Sequence, residues 1–199
     1  MRLFLLFASL ALASLSTHAF GAVTINFSGS AQNSNANLEK STSHALSANV
    51  GLGLGEYASI GLTHRRSYID NGGQKKGIAE DRRSYVYIPF QERTENITNS
   101  IDLTLIPYTG VISPFVFGGV ARRDYTNRFD YQGVRTTSTQ SLYPVPNYGG
   151  GVAIQLGAGF QLKVTQTLSP GKQTTIEDGV EVEKSVRDTY TEIWLGYKL

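Results

Sequence analysis

Leu46-Ser47-Ala48-Asn49-Val50-Gly51-Leu52-Gly53-Leu54 alternates apolar and small or polar residues for nine positions, and Tyr57 to Thr63 takes up the same alternation after the turn at Gly55-Glu56. A period of two is the mark of a strand with two different faces. Two such runs across a tight turn make a hairpin. The plan recurs along the chain. Ile101, Leu103 and Leu105 lead through Pro107-Tyr108-Thr109-Gly110 into Val111 to Ala121. Val152, Ile154 and Leu156 lead through Gly157-Ala158-Gly159 into Phe160, Leu162 and Val164. With Val23 to Ser28 at one end and Ile193, Leu195, Tyr197 and Leu199 at the other, the pattern predicts eight strands, near 22–31, 43–54, 57–69, 95–106, 111–125, 146–156, 159–169 and 185–199. Short turns fall near 55, 108 and 157, and long polar loops near 32–42, 70–94, 126–145 and 170–184. Ser84-Tyr85-Val86-Tyr87-Ile88 also alternates, which leaves open an extension of strands 3 and 4. In strand 5, Phe115 and Phe117 compete with Val116 and Val120 for the outer face.

Alternation does not say whether the apolar face meets a protein interior or lipid; charge placement does. The stretches 46–63, 97–121 and 143–168 together hold 69 residues and three charges, Glu56, Asp102 and Lys163. By contrast, 64–95 carries twelve charges, 122–135 six and 172–192 nine. A soluble barrel needs charged side chains on its wet outer face, whereas a lipid-facing barrel sends them to its loops. The expectation is an all-β protein: an eight-stranded antiparallel up-and-down transmembrane β-barrel.

The start of the chain fits that destination. Met1-Arg2, the apolar run Leu3 to Leu15 and the small residue Ala19 have the layout of a secretory signal. The run is too short for a membrane-spanning helix, which needs roughly 20 residues. Cleavage is expected after Ala19, or alternatively after Ala22, leaving a barrel domain over 20–199. The formal net charge of the chain is +2 and it has no cysteine. Those counts argue against a nucleic-acid partner, disulfide scaffolds, thiolate zinc sites, cysteine nucleophiles and a lipoprotein anchor.

The stretch Ser113-Pro114-Phe115-Val116-Phe117-Gly118-Gly119-Val120, the Gly-rich Tyr148 to Gly159 hairpin and the closing Trp194-Leu195-Gly196-Tyr197-Lys198-Leu199 resemble the small eight-stranded outer-membrane barrels of the opacity-protein, OmpX and OmpA-transmembrane types. The resemblance covers the chain after the signal. It implies residence in the outer membrane, contact with its lipid and lipopolysaccharide, and folding by the barrel-assembly machinery. Relatives of this kind include structural proteins, adhesins and a few lipid-modifying enzymes, so place is implied more firmly than activity.

Chemical constellations are few. No cofactor is expected, and no metal site, because no ligand spacing with two histidines occurs. His64, Ser67 and Asp70 offer the residue types of a hydrolytic relay, but a rim histidine among charged residues is the simpler reading. No catalytic residue is therefore assigned. Asn26-Phe27-Ser28 and Asn96-Ile97-Thr98 match a glycosylation triplet by chance, and Asn26 is expected to face the lumen. Parity sends Asp102, Lys163, Glu192 and Lys198 inward, where pairing is favoured, and the adjacency of strands 7 and 8 makes Lys163 and Glu192 the expected structural ion pair. The loop aromatics and arginines Tyr85, Tyr87, Phe129, Tyr131, Arg122 and Arg123 are candidates for contact with a host or cell-surface ligand. The reading at this point is a monomeric, non-enzymatic surface protein, with a lipid A acyl hydrolase as the alternative.

Overall fold

A computed structural model describes residues 22–36, 39–78, 85–131, 133–177 and 180–199, with side-chain surroundings described for 22–34, 39–74, 85–131, 133–171 and 188–199. The expected signal segment 1–19, the pair Glu80-Asp81 and the side chains of Lys75, Lys76, Arg82 and Arg83 lie outside that set. Eight strands form in order: β1 (Val23–Ala36), β2 (Glu39–Gly53), β3 (Ala58–Ile78), β4 (Tyr85–Leu105), β5 (Ile112–Tyr131), β6 (Val134–Gly157), β7 (Phe160–Glu177) and β8 (Val180–Lys198). Each pairs antiparallel with its chain neighbour, and β1 pairs with β8 to close the barrel.

The outer face explains the closure. On β5, Ile112, Val116 and Val120 point outward and are about half exposed, while Phe115 is buried and Phe117 lines the lumen. The competition on strand 5 is therefore won by the valines. Phe27, Leu46, Ile60, Leu62, Ile101, Leu103, Ile193 and Leu195 continue the apolar band around the barrel. Nine residues of β5, 112–120, cover its height, close to the roughly 9–11 that a tilted strand needs to cross a bilayer. Water is absent at that depth, so backbone groups must pair within the sheet and the ring has to be closed there.

Above the band the strands run on. The expected loops 32–42, 70–94, 126–145 and 170–184 are instead largely strand, with β3 pairing with β4 as far as Ile78↔Tyr85 and β5 with β6 as far as Val134↔Tyr131. The polar stretches had read as loops because alternation of apolar and polar residues fades once neither face meets lipid. Backbone pairing persists regardless.

Closure does not extend with them. Pairing of β6 with β7 ends at Tyr148↔Leu168, and pairing of β1 with β8 ends at Ser28↔Trp194, with no continuation among the described residues. The first seam has a cause in the sequence. Gln155 donates its N–H to the Val111 carbonyl at 2.8 Å, and Lys198 to Gly159 at 2.8 Å. Alternation then directs the nitrogen of Pro146 toward β7 and that of Pro170 toward β6. The next hydrogen-bonded pair above Tyr148↔Leu168 would join Pro146 to Pro170, and neither has an N–H to give. Outside the lipid band the barrel is thus two sheets, β1 to β6 and the β7–β8 hairpin.

Candidate functional site

The lumen holds two polar layers. In the upper one Glu192 accepts hydrogen bonds from Ser47 Oγ at 2.6 Å and Arg65 Nε at 3.2 Å. Arg65 also donates to Ser67 Oγ at 3.0 Å and lies 4.1 Å from the centre of the Tyr190 ring. Next to it Arg123, with 1% of its surface exposed, donates to Asp188 Oδ2 at 2.6 Å and to the Tyr125 hydroxyl at 3.2 Å. These groups come from β2, β3, β5 and β8 and close the lumen across its width.

The expected partnership is corrected here. Lys163 and Glu192 both face inward, but among the described residues Glu192 is paired with Arg65. Register supplies the reason: Lys163 stands opposite Trp194 and Glu192 opposite Thr165, so the two charges are a diagonal step apart, while Arg65 reaches across the lumen. Sequence reading missed Arg65 because it stands beside Arg66 in a charged stretch. Its inward parity, continuous from Gly61 and Thr63, was the available signal.

The lower layer surrounds a cavity of about 740 Å³ that opens between the short turns. Asn26 donates to Asn49 at 2.8 Å and accepts from Gln161 at 3.0 Å, which places it in the lumen as parity requires. Asp102 accepts from Ser100 Oγ at 2.6 Å and from Asn147 Nδ2 at 2.7 Å. Asn147 reaches it across Gly119, the β5 residue that pairs with both, where a Cβ would stand 2.7 Å from the Asp102 carboxylate. Small residues line one side of the space, Gly51, Gly53, Gly61 and Thr24 among them. Phe115, Phe117, Lys163 and Trp194 line the other.

The rim candidates divide by parity. Arg122 faces outward and bonds Asp124, whereas Arg123 is the buried lumen residue just described, so its expected place on the binding rim is corrected. Tyr85 and Tyr87 are outward and exposed. Phe129 and Tyr131 turn inward at the mouth, stacked with ring centres 6.1 Å apart, and Phe90 packs 6.4 Å from Phe129. Just above the apolar band, Arg66 pairs with Glu95 and Arg93 with Asp70. The hydrogen bond from Arg93 holds the Asp70 carboxyl below the usual carboxylate range. The hydrolytic grouping considered above does not assemble on β3: His64, bonded to Asn99 at 2.8 Å, and Asp70 share the outer face, while Ser67 is buried toward the lumen.

No family model matches the chain, and no curated protein matches it. Solved structures do share its fold. The N-terminal β-barrel domain of Pseudomonas aeruginosa OprF aligns over 90% of this chain and 98% of that one, with a TM-score of 0.50 at 14% identity. A major outer membrane protein from Thermus thermophilus aligns over 92% and 100%, again with a TM-score of 0.50 at 14% identity. At that identity the likeness is one of architecture, and with the lipid-facing band it gives the conclusion: the chain has the fold of the small eight-stranded outer-membrane β-barrels and spans that membrane.

Proposed function

We propose that the chain is a surface protein of the outer membrane that binds a partner through its projecting strands and their tips, and that it is not an enzyme. The observation that carries this reading is the open upper sheet. A strand edge with unpaired N–H and C=O groups accepts another extended chain unless it is guarded by charge, proline or cover. From Val134 to Tyr143, β6 has no proline and one charge, Arg135, and nearly every residue there is exposed. A register shift between Ala121 and Arg123 moves the pairing, so the odd residues of that stretch present their N–H groups to the free edge. Tyr85, Tyr87 and Arg122, exposed on the neighbouring strands, supply side-chain contacts of the kind that dominate binding interfaces.

The orientation follows the fold's habit of long extensions outside and short turns in the periplasm. Lipopolysaccharide phosphates are the natural neighbours of the Arg66, Arg93 and Arg122 level. The test is adhesion of cells expressing the protein to host cells. Thr137→Pro with Thr139→Pro removes two free-edge donors without touching the β5–β6 ladder and should abolish adhesion while the folded barrel still resists detergent before boiling. Unchanged adhesion would refute docking at this edge. Lipid A from the same cells should keep its mass spectrum, and an acyl change dependent on His64 would restore the hydrolase reading.

A further inference from the structure

We propose that the lower lumen is a binding site for a small zwitterionic solute of the amino-acid or short-peptide class, entering from the short-turn end. Small barrels of eight strands ordinarily fill their interior with side chains. Here the β1–β3 wall is lined by Gly51, Gly53 and Gly61, and about 740 Å³ stays open below the Arg65–Glu192 layer. The site is shaped chemically as well as sterically. Lys163 faces the space and has no hydrogen-bond or ion-pair partner among the described residues. An ammonium in that position is a receptor for a carboxylate.

A different wall offers the opposite chemistry. Asp102 is held by Ser100 and Asn147, and the carbonyl oxygen of Asn147, a residue only 3% exposed, is buried with no partner among the described residues. A buried acceptor left unmatched costs stability unless something donates to it, and a carboxylate beside it makes an ammonium the best donor. The two receptors stand at comparable depth, Asp102 three residues before the end of β4 and Lys163 three residues after the start of β7. Phe115, Phe117 and Trp194 line the same cavity and suit an apolar side chain on the ligand. An anion alone would leave the Asn147 acceptor unmatched and the Asp102 charge without a counter-ion, and a cation alone would leave Lys163 without one.

Trp194 is the chain's one tryptophan and lines the cavity, so its emission reports occupancy directly. The full chain after signal removal, folded in lipid nanodiscs, is titrated with L-phenylalanine, with 3-phenylpropionate, with phenethylamine and with the neutral N-acetyl-L-phenylalanine amide. L-Phenylalanine should shift the Trp194 emission and give calorimetric heat, with the other three at least about tenfold weaker. Lys163→Met and Asn147→Leu should each weaken it by a similar factor without changing the heat-modifiable migration of the barrel. Equal affinity for all four probes, an affinity indifferent to both substitutions, or no response to L-phenylalanine by either readout would overturn the proposal and leave a cavity holding water only. Because this cavity lies at the opposite end from the free edge, its failure leaves the surface-binding reading intact, and the reverse.

Discussion

At the scale of single residues, the lumen shows how much one step of register decides. Inward parity of Asp102, Lys163 and Glu192 was legible from the alternation around them, yet their partners were not, because pairing across a lumen depends on barrel stagger rather than sequence distance. Arg65 is the case in point. Removing it strands Glu192, which is 4% exposed, and loss of one member of a buried pair costs about 3–5 kcal/mol. Arg65→Met should therefore lower stability to urea in lipid vesicles by about 3 kcal/mol, and an added Glu192→Gln should restore part of the loss. Lys163→Met and Glu192→Gln should instead be additive, and coupling between them would reinstate the pair that the register argues against. Outside the lipid band, Asp70 supplies a pH test. Its carboxyl is held down chiefly by the hydrogen bond from Arg93, so the pair's stabilisation is complete above the carboxyl's unfolded value and disappears as pH falls through the lower folded one. The difference in thermal midpoint between the unaltered protein and Arg93→Gln should accordingly be present at neutral pH and vanish in acid; a difference that grew in acid would contradict the assignment.

At the scale of elements, hairpins with tight turns were readable because each had both an apolar face and turn residues. The Gly157-Ala158-Gly159 turn, with all three residues at positive φ, is the plainest example. Strand ends above the membrane were not readable, since the physical signal used to find strands is the contrast between two environments, and that contrast ends where lipid ends. Two of the six prolines carried information that periodicity could not. Pro146 and Pro170 lie beside the β6/β7 seam with their nitrogens aimed into it, a reading that requires the register. Replacing Pro146 and Pro170 together by Thr restores two donors where the ladder stops. Hydrogen exchange should then find newly protected amides at both positions, and unprotected amides there would mean that something other than the prolines keeps the strands apart.

At the scale of the whole molecule, lipid imposes closure and its absence permits opening. The ring is complete where Phe27, Leu46, Ile101, Val116 and Leu195 face hydrocarbon, and it separates into two sheets where no bilayer demands backbone pairing. That division places the anchor in the lower half and, on the proposed reading, recognition in the upper, and the charge distribution along the sequence marks it in part. The absence of cysteine makes it directly measurable, since any introduced thiol is the molecule's sole one. Single variants Thr139→Cys, Val116→Cys and Glu56→Cys are expressed and exposed to a membrane-impermeant maleimide, on intact cells and after permeabilisation of the outer membrane. Position 139 should label on intact cells, position 56 only after permeabilisation, and position 116 in neither condition. Labelling of 116 as readily as 139 would contradict the membrane-spanning barrel itself, and labelling of 56 but not 139 on intact cells would invert its orientation.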